Sequence, residues 1–149
     1  MADWRDYLKL MESLTQTLEK LTAIEREKNA AASRGDLPGV EDCMKREQAM
    51  SLTLRGYDQK RDALLAGMGL TGMKLSQMEQ SSPEELRLET KAVAERLRQQ
   101  YELFRVASDV ARDTLEVNLR AIEQLQNRQA GDSAEADETR KNHQTDFRA

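Results

Sequence analysis

The apolar positions of this chain recur every three or four residues over three long segments, which is the spacing of amphipathic α-helices. The pattern predicts helices over about residues 3–33, 37–66 and 83–128. Strands are not expected, because clusters of β-branched and aromatic residues are few. We therefore predict an all-α protein, an antiparallel three-helix bundle or coiled-coil-like fold with a long third helix.

Glycine, proline and acidic residues mark where the predicted helices begin and end. Gly35 suits the left-handed position that closes the first helix, and Asp36 suits the N-cap of the second. Because this connection is short, the first two helices are expected to form an antiparallel hairpin. For the third helix, Ser82 is the predicted N-cap, Pro83 takes the first helical position, and Glu85 closes a capping box.

The third helix changes character about halfway along its length. One apolar face persists throughout it, from Leu86 through Phe104 to Ile122. A second sector, roughly 100° further round the helix, is polar before Tyr101 and apolar after it. The members of this apolar second sector are Leu103, Val106, Val110, Thr114, Val117 and Ala121. The second half of the helix therefore has two apolar faces to bury.

Two interpretations of this second sector are open at the level of sequence. It packs within the bundle if the third helix is central, because a central helix needs a wide apolar arc. Alternatively, it forms a groove for a helix from another chain. The third helix is about 68 Å long and the other two about 45 Å at 1.5 Å per residue, so part of it is expected to lack partners. The apolar stripe of the first helix also weakens after Glu25, which favours the groove.

Composition and charge exclude several classes of protein. The 149 residues suffice for one domain, predicted over residues 1–130 with a linker at 67–82, and the polar residues 131–149 are predicted to be a mobile tail. A net charge of -4 with both signs interleaved provides no basic surface for nucleic acid. No apolar run approaches the roughly 18 residues of a membrane span. Without a secretory signal, and with one cysteine, the protein is expected in the cytoplasm.

No catalytic, metal or cofactor site is predicted from the residues that carry such chemistry. Gly67, Gly69 and Gly72 match a dinucleotide-binding spacing, but that motif follows a strand, and a helix precedes it here. His143 is the single histidine and has no neighbouring ligands. Cys43 is expected to be a small buried side chain rather than a nucleophile, because no histidine is placed to activate it.

Carboxylates and methionines are given equally ordinary roles. Pairs such as Glu25 with Glu27 and Glu84 with Glu85 are expected on exposed helix faces among lysines and arginines. Five methionines lie in the second helix and the linker: Met44, Met50, Met68, Met73 and Met78. Core filling is favoured for them over a surface that binds varied apolar partners. We therefore expect that the protein is not an enzyme.

Four stretches occur in a recognisable order along the chain. They are Gly35-Asp36-Leu37 at the first turn, Lys45-Arg46-Glu47 after it, Gly69-Leu70 with Lys74-Leu75-Ser76-Gln77-Met78 in the linker, and Leu115-Glu116-Val117-Asn118-Leu119-Arg120-Ala121-Ile122 near the end of the third helix. In this order and spacing, the chain resembles the FlgN family of flagellar export chaperones over about residues 10–128. The resemblance implies a bacterial cytoplasmic chaperone without a cofactor.

Such a chaperone binds the C-terminal helical segments of hook-associated proteins of the hook–filament junction. It keeps them soluble and delivers them to the export gate of the flagellar type III apparatus. By the resemblance, the client-binding positions are Leu115, Asn118, Leu119 and Ile122, with the neighbouring Val110 and Val117. Together with the second apolar sector, they form the expected client surface. The alternative is a self-associating structural coiled coil or another helical adaptor, a weak homo-oligomer through the same stripe.

Overall fold

Every regular element in the described part of the chain is helical, as predicted. A computed structural model describes residues 3–130, apart from the side chains of residues 122, 125, 126, 129 and 130. The predicted tail, residues 131–149, lies outside this range. The helices are α1 (Trp4–Ser33), α2 (Leu37–Gly67), α3 (Met78–Ser81) and α4 (Arg87–Ala130), with 3₁₀ turns at Leu75–Gln77 and Glu84–Leu86.

The chain forms two compact units, Met1–Leu115 and Glu116–Ala149. The single domain predicted over residues 1–130 includes the first unit and part of the second. The first unit contains α1, α2, α3 and the larger part of α4, and the second begins within α4. Because the boundary falls inside a continuous helix, helical periodicity gives no sign of it.

Local hydrogen bonds explain why the chain turns at Gly35. The Gly35 N–H donates to the Ala32 carbonyl, and the Asp36 N–H donates to the Ala31 carbonyl at 2.9 Å, which are the two bonds of a Schellman motif. Gly35 has a φ of 70°, the left-handed conformation that this motif needs. The Asp36 carboxylate then accepts from the N–H of Gly39 and begins α2. Both predicted roles, for Gly35 and Asp36, are confirmed.

The predicted linker is a folded connection. At the end of α2, Gly69 repeats the left-handed geometry with a φ of 71°, and the Leu70 N–H donates to the Leu65 carbonyl at 2.8 Å. Leu70 then packs against the core, and Met78 in the short helix α3 is completely buried. The segment therefore contributes apolar surface to the fold as well as joining α2 to α4.

The predicted capping box at the start of the third helix is wrong. Pro83 has a ψ of 145°, an extended conformation, so it precedes the helix rather than forming its first turn. The Ser82 hydroxyl donates to the Glu79 carbonyl at 2.8 Å and so closes the end of α3. The chain enters α4 through the 3₁₀ turn at Glu84–Leu86, which has no side-chain cap. Ser82 is buried, and its hydroxyl serves the preceding turn.

The main core of the first unit is formed by α1, the start of α4, and single residues from α2 and α3. We call its buried members the main cluster: Trp4, Tyr7, Leu8, Leu10, Met11, Leu14, Leu18, Leu65, Met78, Val93, Ala94 and Leu97. The Trp4 indole N–H donates to the Thr90 hydroxyl at 2.8 Å, and further along the Gln100 amide donates to the Thr22 hydroxyl at 3.1 Å. Because the residue numbers of these contacts increase together along both helices, α1 and α4 are parallel. With the antiparallel hairpin, the order is up, down, up.

A second and much smaller core lies near the hairpin turn. This distal cluster consists of Ala31, Ala32, Val40 and Leu115, with Met44 packed against it. It joins α1, α2 and α4 within the first unit. Two of its four members are alanines, so it buries far less apolar surface than the main cluster.

Candidate functional site

The second apolar sector of α4 is exposed in the first unit. Leu103 and Val106 are each 49% exposed and Val110 is 47% exposed. They are spaced by three and four residues, so they lie along one face of the helix. The buried residues of the same stretch, Ala107 and Ala111, lie on the other apolar face. We call Leu103, Val106 and Val110 the exposed stripe.

Leu115 was expected on the client surface, but it is buried. It is only 8% exposed, and it packs in the distal cluster against Ala31, Ala32 and Val40. Thr114, one residue earlier, is partly buried. Leu115 therefore stabilises the first unit itself, because its position coincides with the turn of the hairpin, and it is not an accessible anchor in this conformation.

The remaining expected positions belong to the second unit. Val117 and Ala121 are exposed, whereas Asn118 and Leu119 are partly buried. The side chain of Ile122 lies outside the described residues. Within this unit the exposed apolar positions are again four residues apart, so they share a helix face.

Charged side chains on the solvent side of the exposed stripe are paired with one another. Arg105 forms ion pairs with Glu102 and Asp109, and Arg112 forms one with Asp109 at 3.3 Å. The hydrogen bond from Arg105 lowers the pKa of the Glu102 carboxyl below its ordinary value. Such exposed pairs three and four residues apart add little to stability. Because these charges neutralise each other, the exposed aliphatic side chains are the main chemical feature of this face.

A largely buried layer of charged side chains, which was not predicted from the sequence, lies between the two clusters. Glu25 and Lys28 lie on α1 after the last residue of the main cluster and before the distal one, and Glu47 faces them from α2. Lys28 Nζ lies 3.2 Å from the Glu25 carboxylate and 2.6 Å from that of Glu47. We call these three side chains the charged layer.

The prediction that Glu25 lies on an exposed face is wrong, since it is 4% exposed. Burial raises the pKa of the Glu25 carboxyl to about 7, aided by a hydrogen bond with Glu47 and opposed by Lys28. The sequence does indicate this burial, because Glu25 follows Leu18 and Leu21 at the spacing of the buried stripe of α1. A charged residue in register with a buried stripe predicts a polar layer in the core.

The other residues considered for binding or catalysis have structural roles. Gly69 and Gly72 lie in turns after a helix, and the next element is a three-residue 3₁₀ turn, so no helix begins there to bind a phosphate. Cys43 is buried, as expected. In the described range, no group of three or more potential metal ligands comes together. None of the described helices combines the length and apolarity needed to cross a membrane. His143 lies outside the described residues.

Two exposed leucines were also missed by the sequence analysis. Leu88 near the start of α4 and Leu52 in α2 are both largely exposed. The exposed apolar residue one helical turn away is only an alanine in each case, Ala92 for Leu88 and Ala49 for Leu52, so neither leucine belongs to a stripe of large apolar side chains. Met78 is buried, and Met68 and Met73 pack against the main cluster, which agrees with the core-filling interpretation.

No protein-family model, curated protein or solved structure matches the chain.

Proposed function

We propose that the protein is a chaperone that binds a helical segment of another protein on α4, as the resemblance to flagellar export chaperones implies. The clients would be the C-terminal helices of hook-associated proteins. The protein would hold them in the bacterial cytoplasm and pass them to the type III export gate. The observation that carries this proposal is the exposed stripe at Leu103, Val106 and Val110.

The spacing of the exposed stripe suits a helical partner. Three aliphatic side chains at positions i, i+3 and i+7 present a continuous apolar ridge, which is the arrangement used when one amphipathic helix docks on another. Their remaining exposure is close to one half each. Burying it contributes about 2–4 kcal/mol, on the basis of about 1.5–3 kcal/mol for each fully buried aliphatic side chain. Such a contribution supports reversible binding, which suits a chaperone that must release its client.

The packing of α2 supports an external partner for the exposed stripe. In the middle of α2, the apolar Leu54 and Tyr57 pack against the main cluster. The stripe on α4 stays about half exposed, so α2 does not cover it. A partner helix supplies the apolar surface that α2 does not.

The test is direct binding of a client helix to the purified protein. The probe is a fluorescent peptide with the C-terminal helical segment of a hook-associated protein from the same bacterium, followed by anisotropy. Val110→Asp should weaken binding more than a hundredfold, because it removes aliphatic contact and places a carboxylate in the interface. Tyr101→Asp is the matched control. Tyr101 is on the same helix, is 58% exposed and faces away from the stripe, so its substitution should leave binding unchanged.

Two outcomes would contradict the proposal. One is a wild-type protein that does not bind the peptide. The other is a stable dimer in sedimentation that Val110→Asp dissociates, which would show that the stripe serves self-association instead. Helicity measured by circular dichroism should be the same for both variants and the wild type.

A further inference from the structure

The burial of Leu115 beneath the hairpin suggests a further role for the distal cluster. Leu115 is held by two alanines and one valine, and Met44 is only partly buried beside them. Ala111, one helical turn earlier on the same face of α4, is completely buried. The end of the hairpin thus covers Leu115 with little apolar surface of its own.

The charged layer separates this covering segment from the main cluster. Its two carboxylates share one ammonium group, so it holds an uncompensated negative charge in a largely buried position when both are ionised. Glu25 Oε2 and Glu47 Oε1 are buried and have no hydrogen-bond partner of good geometry, although Lys28 is within ion-pair distance of both. Separating the helices here returns these atoms to water, whereas separating them at the main cluster exposes large apolar side chains.

We infer that residues 25–47, the distal end of the hairpin, act as a cap that opens independently of the main cluster and uncovers Leu115 for a partner helix. This regulation of the binding face rests on the proposed function. In the closed form the partner meets only the exposed stripe. In the open form it also meets Leu115 on the other apolar face of α4. Affinity then depends on how often the cap is open.

The native cysteine reports opening without any substitution. Cys43 is the single thiol of the chain and is buried on α2 within the cap. Its labelling by a disulfide reagent in excess measures how often the cap opens. We expect labelling at least tenfold faster than global unfolding allows, with a weak dependence on urea, because opening exposes only part of the surface exposed by unfolding.

Substitutions in the charged layer change the opening in opposite directions. At pH 8, Lys28→Met leaves the buried Glu25 carboxylate and the partly buried Glu47 carboxylate without their cation and should speed labelling at least tenfold. The triple variant Glu25→Leu, Lys28→Met, Glu47→Leu replaces the layer with apolar side chains and should slow it by a similar factor. Arg96→Met, which breaks the exposed ion pair with Glu12, is the control and should have no effect.

The client peptide then tests the link to binding. Saturating peptide should accelerate labelling of Cys43, and the triple variant should bind the peptide more weakly than wild type, by at most the factor that slows its labelling. Labelling that follows global unfolding in its rate and urea dependence would overturn the independent cap. Peptide binding without any change in labelling would leave the proposed function standing and overturn the coupling. If the peptide does not bind at all, the proposed function fails, and the labelling of the free protein still decides whether the cap opens.

Discussion

Substitution of Glu25 by glutamine should make the protein more stable at neutral pH and change it little in acid. The folded protein raises the pKa of the Glu25 carboxyl to about 7 from an ordinary 4.5. Between these values the folded state holds a proton that the unfolded state releases. The free energy of unfolding contributed by this group is therefore complete below pH 4.5, falls as pH rises through 7, and is flat above it. Glutamine removes this dependence while keeping the shape of the side chain.

The size of the effect follows from the interval between the two pKa values. One pKa unit corresponds to about 1.4 kcal/mol, so the interval sets an upper limit of about 3 kcal/mol. Glu25 is nearly inaccessible to water, so solvent screening reduces this limit little. Lys28 keeps its ion pair with Glu47 in the variant, and so the layer retains one balanced charge pair. We expect Glu25→Gln to gain about 1–3 kcal/mol at pH 8 relative to wild type and close to nothing at pH 4.5.

Urea unfolding at several pH values measures this difference. The emission of Trp4, the single tryptophan, reports the main cluster, and circular dichroism reports the helices. The other carboxylates of the chain also titrate in acid, so the informative quantity is the difference between variant and wild type at each pH. Glu12→Gln serves as the control, because Glu12 forms an exposed pair with Arg96. The reasoning is refuted if Glu25→Gln is less stable than wild type at pH 8, or if the difference does not change with pH.

Three further substitutions test the packing. Thr90→Val should lower stability by about 1–3 kcal/mol, since it leaves the buried Trp4 indole N–H without an acceptor; urea unfolding would show this, and an unchanged midpoint would contradict it. Gly35→Ala should lower stability by about 1–2 kcal/mol through backbone strain alone, because no atom lies within 4 Å of an added Cβ. Thermal unfolding should show a smaller loss of stability for Gly35→Asn. Leu115→Ala should lower the free energy of unfolding by about 2–3 kcal/mol and speed Cys43 labelling. A stability equal to that of wild type would show that the distal cluster does not stabilise the fold.

Helix positions could be predicted from the sequence because periodicity and local turn chemistry determine them. The end of α1 needs a left-handed residue, and Gly35 followed by Asp36 supplies both that residue and the next cap. The start of α4 was placed a few residues early for a reason of the same kind. Ser82 has one hydroxyl, which can serve the helix before it or the helix after it, and the choice depends on the tertiary position of α3. Sequence spacing does not contain that information.

The candidate site could be predicted only in part, because exposure depends on which helices meet. Periodicity placed Leu103, Val106 and Val110 on one face, and the structure leaves that face open. Leu115 has an equally apolar character, but it lies level with the hairpin turn and is covered. The residues that share a helix face can be predicted from sequence. Which residues of that face lie beside the end of a neighbouring helix is determined by packing. The spacing of α1 places Glu25 in the buried register, whereas its neighbour Glu47 on α2, paired with Lys28, follows from the packing of α2 against α1.

The width of the apolar arc on α4 is best explained by two partners that use different faces. The bundle uses the face of Val93, Leu97 and Ala111, and these residues are buried. The stripe centred on Val106 lies roughly 120° away on the helix. Covering it within the bundle would require another apolar helix face. In the middle of α2, the apolar Leu54 and Tyr57 pack against the main cluster instead, and the stripe stays about half exposed. An apolar stripe that the fold neither needs nor covers reduces solubility without adding stability. That cost is understandable if a client helix covers the stripe during the working life of the protein.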